Sequence, residues 1–231
     1  VPIPPVIGTA EYVQNNRLVL PQDAFLLWAY FQGPNITAAR IDSPSLRSFV
    51  LPRFPLLRRG STPGSRPNVN WLTGAGFVLR SREEISVQTS NDSSMGAEDH
   101  FAVFCVGQAG AGASAHPDFY IRATGNTTLV PKQWTLVPLT MEASLPAGRY
   151  RIVRLRVRSA TGIAARVIIP GMAERPGVLC VNTIEDYQGD DFVDYKLGDF
   201  GVFDSVALPS LEILASGADT TQEVYLGLRR A

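Results

Sequence analysis

Residues 149–159, RYRIVRLRVRS, constrain the fold more than any other stretch of the chain. Arg154, Arg156 and Arg158 alternate there with Val153, Leu155 and Val157. A period of two marks a β-strand with one face on a core and the other in water. Tyr150 and Ile152 share the parity of the arginines, so the apolar face must change sides near Val153, and a β-bulge is the usual device for that. Turn residues frame the strand: Pro146, Ala147 and Gly148 before it, Thr161 and Gly162 after it. Residues 163–169 and 178–181 read as the next two strands, separated by a loop carrying Pro170-Gly171 and Arg175-Pro176-Gly177. These connections are too short for crossover helices, so a hairpin-rich antiparallel sheet is the economical arrangement.

The same punctuation runs through most of the chain. The 20 glycines and 17 prolines are spread along 231 residues rather than clustered. Strands are expected at about 75–80, 84–89, 101–106, 118–123, 128–137, 150–158, 163–169, 178–184, 192–196, 202–208, 211–215 and 222–228. Residues 12–20 read as a first strand, while DAFLLWAYF at 23–31 is too uniformly apolar for periodicity to choose helix or strand. Prolines at 44, 52, 55, 63 and 67 make residues 37–70 an ordered surface excursion rather than a central strand. Its hydrophobic residues, Leu46, Phe49 and Phe54 among them, need cover, which a subunit interface would give. The two halves show no convincing sequence repeat. The expected organisation is an all-β, antiparallel β-sandwich over residues 71–231, with residues 1–70 supplying an N-terminal arm, a first strand and a Pro/Arg-rich interface segment.

Apolar residues make up 45% of the chain and charged residues 18%, the balance of a packed chain rather than a disordered one. No apolar run approaches the ~20 residues of a membrane-spanning helix. Residues 1–8 lack the basic start and long apolar centre of a secretory signal. The net charge is zero, which argues against the chain as a whole binding nucleic acid strongly. The zero hides an asymmetry. Residues 40–66 hold six arginines against one aspartate, and residues 185–204 hold seven acids against one lysine. Opposed blocks of that size can meet within one molecule or between neighbours. Cys105 and Cys180 sit in apolar strand patterns and read as buried free thiols, with a single bridge between facing strands as the alternative.

Enzyme signatures are missing. The two histidines, His100 and His116, are too few for a cupin-type or zinc centre. The sequence has no G-x-S-x-G elbow and no phosphate-cradling glycine motif. Asp190, Asp191 and Asp194 are weak candidates for a structural Ca²⁺, since their spacing departs from the twelve-residue calcium loop. Trp28, Trp71 and Trp134 stand in apolar settings that suit packing better than sugar stacking.

The run LPAGRYRIVRLRV, with ARVIIPGMAERPGVLCV after it, resembles the strand-and-turn texture of jelly-roll coat proteins of icosahedral, tailless viruses and bacteriophages. The resemblance extends over about residues 71–231 and implies a single jelly roll with an N-terminal extension. It also implies a structural virion protein, without catalysis or a required cofactor, that self-assembles into a capsid shell. Partners would be copies of itself, with other capsid proteins or an internal lipid membrane beyond them. The expected interface residues are Val1, Pro2, Ile3, Pro4 and Pro5 of the arm, Arg47, Arg53, Phe54, Arg58 and Arg59 of the excursion, and Glu185 and Asp186 of the acidic block. One departure stands out: residues 1–19 carry a single arginine, Arg17, so this arm is not expected to hold a genome. The alternatives are a virion spike or lectin-like sandwich that binds host glycans and, behind it, a jelly-roll enzyme acting on polysaccharides.

Overall fold

Alternating burial shows why the arginine-rich run is a strand. In β13 (Arg149–Arg158), Tyr150, Ile152, Leu155 and Val157 are buried while Arg149 and Arg151 are exposed. The pairing register slips between Ile152 and Arg154, leaving Val153 as the extra residue. The bulge lies where the sequence parity requires it, and it keeps arginines on one face along the whole strand.

The computed structural model describes residues 12–14, 17–20, 22–32, 36–45, 53–55, 70–71, 78–91, 101–107, 116–173, 175–181 and 200–231. Every named element among them is a β-strand, and every strand pair is antiparallel. The described residues fall into two compact units, one before residue 112 and one from residue 112 onward.

The second unit contains β10 (Phe119–Gly125), β11 (Trp134–Pro138), the short β12 (Thr140–Met141), β13, β14 (Gly162–Ile168), β15 (Gly177–Leu179), β16 (Val202–Asp204), β17 (Ser210–Ala215) and β18 (Gln222–Arg230). One sheet runs β12-β10-β18-β13-β16 and the other β11-β17-β14-β15. With β12 set aside and the other eight strands counted in chain order, the sheets read 1-8-3-6 and 2-7-4-5, the strand order of a jelly roll. Leu155, Val157, Leu211, Ile213, Leu226 and Leu228 are fully or almost fully buried, as expected when two sheets share an apolar interior. Consecutive strands here often change sheets instead of forming hairpins. β13 and β14 are the clearest case, and the turn between them is tied down by Asp219. Its carboxylate accepts from the Ser159 hydroxyl (2.5 Å) and the Ala160 amide (2.9 Å), while Thr161 donates to the carbonyl of Gly217 (2.8 Å).

The first unit contains β1 (Tyr12–Gln14), β2 (Arg17–Val19), β3 (Ala24–Gln32), β4 (Ile36–Asp42), β5 (Arg53–Pro55), β6 (Asn70–Trp71), β7 (Val78–Leu79), β8 (Glu84–Asn91) and β9 (Phe101–Gly107). Its five-stranded sheet runs β1-β2-β8-β4-β5. β3 pairs with β9 along most of its length, which leaves the opposite edge of β3 to β6 and β7. Leu20, Leu26, Phe31, Ile41, Leu79, Ile85 and Val87 form its core.

Several expectations need correcting. The segment at 23–31 is a strand, its ambiguity resolved by β9 and β6 pairing on either edge of β3. Residues 12–20 form two short strands paired as a hairpin rather than one. Part of 37–70 is an interior strand after all: β4 lies between β8 and β5. Its residues precede Pro44, so the prolines never enter the strand. β8 and β9 pair with β2, β4 and β3, although they fall in the range expected to belong to the sandwich beginning at residue 71. The jelly-roll strand order itself lies within residues 119–230. The strand expected at 192–196 lies outside the described residues.

Candidate interaction surface

The outer face of the β10–β18–β13 layer carries a dense set of charges. Strand register places Arg122, Tyr225 and Arg156 in one cross-strand row, and Tyr120, Gly227 and Arg154 in the next. Arg151 stands directly opposite Arg229 beyond them, and Thr124, Glu223 and Arg158 complete the other end. Side chains on alternate strand residues repeat at roughly 7 Å, and neighbouring strands lie about 4.8 Å apart. The result is a lattice of guanidinium groups and tyrosine rings.

Two devices fix the lattice. Glu223 accepts from Arg122 through one oxygen (2.7 Å) and from Arg158 through the other (2.9 Å). The Arg158 hydrogen bond, against the opposing effect of burial and reinforced by Arg122, holds the Glu223 carboxyl below its ordinary range. The second device is Gly227. A β-carbon there would meet the Arg154 β-carbon at 2.6 Å and its γ-carbon at 3.0 Å, so the missing side chain lets the Arg154 stem lie across β18. Arg154 is accordingly buried, while Arg122 keeps 41% of its side chain exposed and Tyr120 is 59% exposed.

A second ionic cluster sits on the other sheet and is structural. Glu212 accepts from Arg166 and from Arg175, each at 2.6 Å, and the Arg166 guanidinium lies 4.2 Å from the centre of the Trp134 ring. Burial raises the Glu212 carboxyl, but the hydrogen bonds from Arg175 and Arg166 prevail and hold it below its ordinary range. Trp134 is therefore a packing and cation–π partner, as its apolar sequence setting suggested.

Most of the residues singled out from sequence lie outside the described residues: Val1, Pro2, Ile3, Pro4, Pro5, Arg47, Arg58, Arg59, Glu185, Asp186, Asp190, Asp191 and Asp194. The backbones of Arg53 and Phe54 belong to β5, opposite Arg40 and Ala39 of β4. The chain leaves the described residues after Val181, which bridges Arg158, and returns at Phe200, whose amide bonds to the Ile152 carbonyl (2.8 Å). The described residues on either side of 182–199 thus both meet β13. Sequence reading noticed the β13 arginines as a strand signal. It missed the face they build with Arg122 and Arg229, because that face needs strands about a hundred residues apart.

Among the described residues no group of three or more His, Cys, Asp and Glu side chains could hold a metal ion, and no helix is long and apolar enough to cross a membrane. Cys180 is a free, buried thiol whose ionisation burial pushes up strongly, the opposite of what a nucleophile requires. His116 is exposed.

No protein-family model and no curated protein matches the sequence. Among solved structures, the major capsid protein P2 of bacteriophage PM2 is a neighbour at 16% identity, covering 99% of this chain and 96% of that one, with a TM-score of 0.23. A superposition this loose decides neither fold nor function.

Proposed function

We propose that this protein is a structural virion subunit that assembles with copies of itself into an icosahedral capsid shell and catalyses no reaction. The observation that carries this reading is the strand order, 1-8-3-6 and 2-7-4-5 in the second unit, with β2-β8-β4-β5 of the first unit in the same relative order as β10-β18-β13-β16. Jelly rolls serve shells, lectins and cupins alike, so fold alone does not choose among them. The choice comes from the side chains. A cupin centre needs clustered histidines, and this sequence has two, one of them an exposed loop residue. The arginine face, the apolar arm and the acidic block are instead the materials of subunit contacts.

The arm residues Val1, Pro2, Ile3, Pro4 and Pro5, with Arg47, Arg53, Phe54, Arg58, Arg59, Glu185 and Asp186, belong to those contacts in this reading. Opposed charges make assembly salt-sensitive, because exposed pairs are screened as the Debye length falls from about 10 Å at 0.1 M to about 3 Å at 1 M salt. Light scattering and electron microscopy of the purified chain at low and high salt test the proposal. Large closed particles at low salt that dissociate at high salt are expected. A well-behaved monomer at high concentration in both would overturn it, and a discrete trimer that binds glycans would favour a spike.

A further inference from the structure

Resting on the shell reading for the presence of neighbouring copies, we infer that the outer face of the β11–β17 pair is a two-fold contact between copies of this chain, strip against strip. β11 departs from the usual pattern in which a sheet turns polar side chains to water on its outer face. Val137 points into the sandwich and is buried, yet Trp134, Leu136 and Pro138 alternate with it on the outer face. Leu136 is 53% exposed and Pro138 is exposed, with Trp134 half-buried beside them. Register extends the strip across the sheet. Pro138 stands opposite Ser210, which in turn stands opposite the half-buried Ile168. Leu208, 39% exposed, lies two residues before Ser210 in the chain.

Three observations select a second copy as the occupant. The first is continuity. One cross-strand row from Leu136, on the same outer face, Leu214, Ala164 and Leu179 stand in register and are buried. Leu136, Pro138 and Leu208 are therefore the uncovered margin of a face that is interior elsewhere, and their exposure is that of the single chain. The second is charge. Nucleic acid and anionic lipid are bound through surplus cations, whereas this strip is apolar and the ionic groups beside it serve one another, Glu212 accepting from both Arg166 and Arg175. The third is the backbone. Pro138 has no amide to donate and Pro131 brackets the other end of β11, so an added strand is disfavoured and the contact is made by side chains. An apolar strip is complementary to a like strip, and a two-fold axis is the commonest way for a chain to supply one. An axis near Leu136 runs the two strips antiparallel and brings Trp134 of each copy toward Pro138 of the other.

High salt separates this contact from the charged ones. Apolar burial survives screening, so particles that come apart at about 1 M salt should leave dimers rather than monomers, read by sedimentation velocity. A variant carrying Leu136→Asp and Leu208→Asp should dimerise on the order of 100-fold less tightly, because it would bury carboxylates without partners. Circular dichroism and thermal melting check folding, and Leu136→Ser with Leu208→Ser gives a milder version should the aspartates unfold the chain. Leu136→Cys should join two copies through a short bis-maleimide linker, with the natural chain as the control for Cys105 and Cys180. A monomer at high salt, or a dimer indifferent to the paired aspartates, would overturn the inference. A dimer that the aspartates dissolve but that Leu136→Cys never links would be head-to-tail, and the two-fold contact falls. Binding to phosphatidylcholine vesicles that the aspartates abolish, in a chain that stays monomeric at high salt, would assign the strip to lipid instead. If no particles form at low salt while the high-salt dimer behaves as described, the contact stands and the shell reading alone falls.

Discussion

The two units share an order of strands but finish it differently. In the second, β10, β18, β13 and β16 form one sheet and β11 pairs with β17 in the other. In the first, β2, β8, β4 and β5 repeat the four-strand order, and β3 pairs with β6 and β7 as β11 does with β17. Bulges recur at matching places, between Ile36 and Ala38 in one unit and between Ile152 and Arg154 in the other. The units diverge at two points. Nothing described in the first unit corresponds to β14 and β15, and β9 covers an edge of β3 whose counterpart on β11 pairs with no strand among the described residues. Val130 and Leu136 are exposed along that edge, and Pro131 and Pro138 flank it, the proline placement that discourages stray pairing. Pairing order can evidently persist where sequence similarity does not, since it depends on where chain reversals fall and which face is apolar.

Core truncations should give the largest effects and test whether the units are equivalent. Ile41 in the first and Leu226 in the second are fully buried, so changing either to alanine should cost about 3–4 kcal/mol. Urea unfolding followed by tryptophan fluorescence measures this, with Trp28 and Trp71 in one unit and Trp134 in the other. Equal costs support equivalence, and a much cheaper Ile41→Ala would make the first unit a looser partner. Next comes Gly177→Ala. A β-carbon there would run into the carbonyl oxygen of Ala165, in the β14–β15 pair that has no counterpart among the described residues of the first unit, and about 2–3 kcal/mol should be lost. An unchanged midpoint would show that pair to be dispensable.

Glu212→Gln should cost somewhat less, about 1–3 kcal/mol, by leaving the buried Arg166 short of a charged partner. The same interaction predicts the acid response. Glu212 and Glu223 are both held below their ordinary value of 4.5, so their stabilisation is complete above about that pH and fades as pH falls through the lower folded-state values. Stability measured from pH 6 to pH 3 should decline, with a shallower decline in Glu212→Gln. The smallest effect is a null one. Cys180 should resist alkylation in the native protein and react only after unfolding, and ready labelling would contradict its burial.

Local features of this fold were legible in the sequence, and pairings were not. The β13 alternation and its bulge could be read from parity alone, and the chain reversals before Arg149 and at Ala160–Thr161 from the glycine and proline punctuation beside them. The expected strand at 128–137 contracted to β11 because Leu129 is buried within a loop and Lys132 takes a left-handed conformation (φ 64°). β4 was hidden by treating residues 37–70 as one proline-rich unit, though every proline in it follows the strand. The arginine face was out of reach for a different reason. Arg122, Arg156 and Arg229 become neighbours only through β18, the last strand of the chain, and no local pattern announces which distant strands will share a face.

The extra residue at Val153 behaves like a frameshift in a message read two letters at a time. Upstream of it, odd-numbered positions lie on the outer face; downstream, even-numbered ones do. A strand that kept this residue but ran without the bulge, with Tyr150 still seated, would aim Arg154, Arg156 and Arg158 into the hydrocarbon interior. Homologous chains should therefore lengthen or shorten this strand by pairs of residues, or carry their odd insertion at this one point.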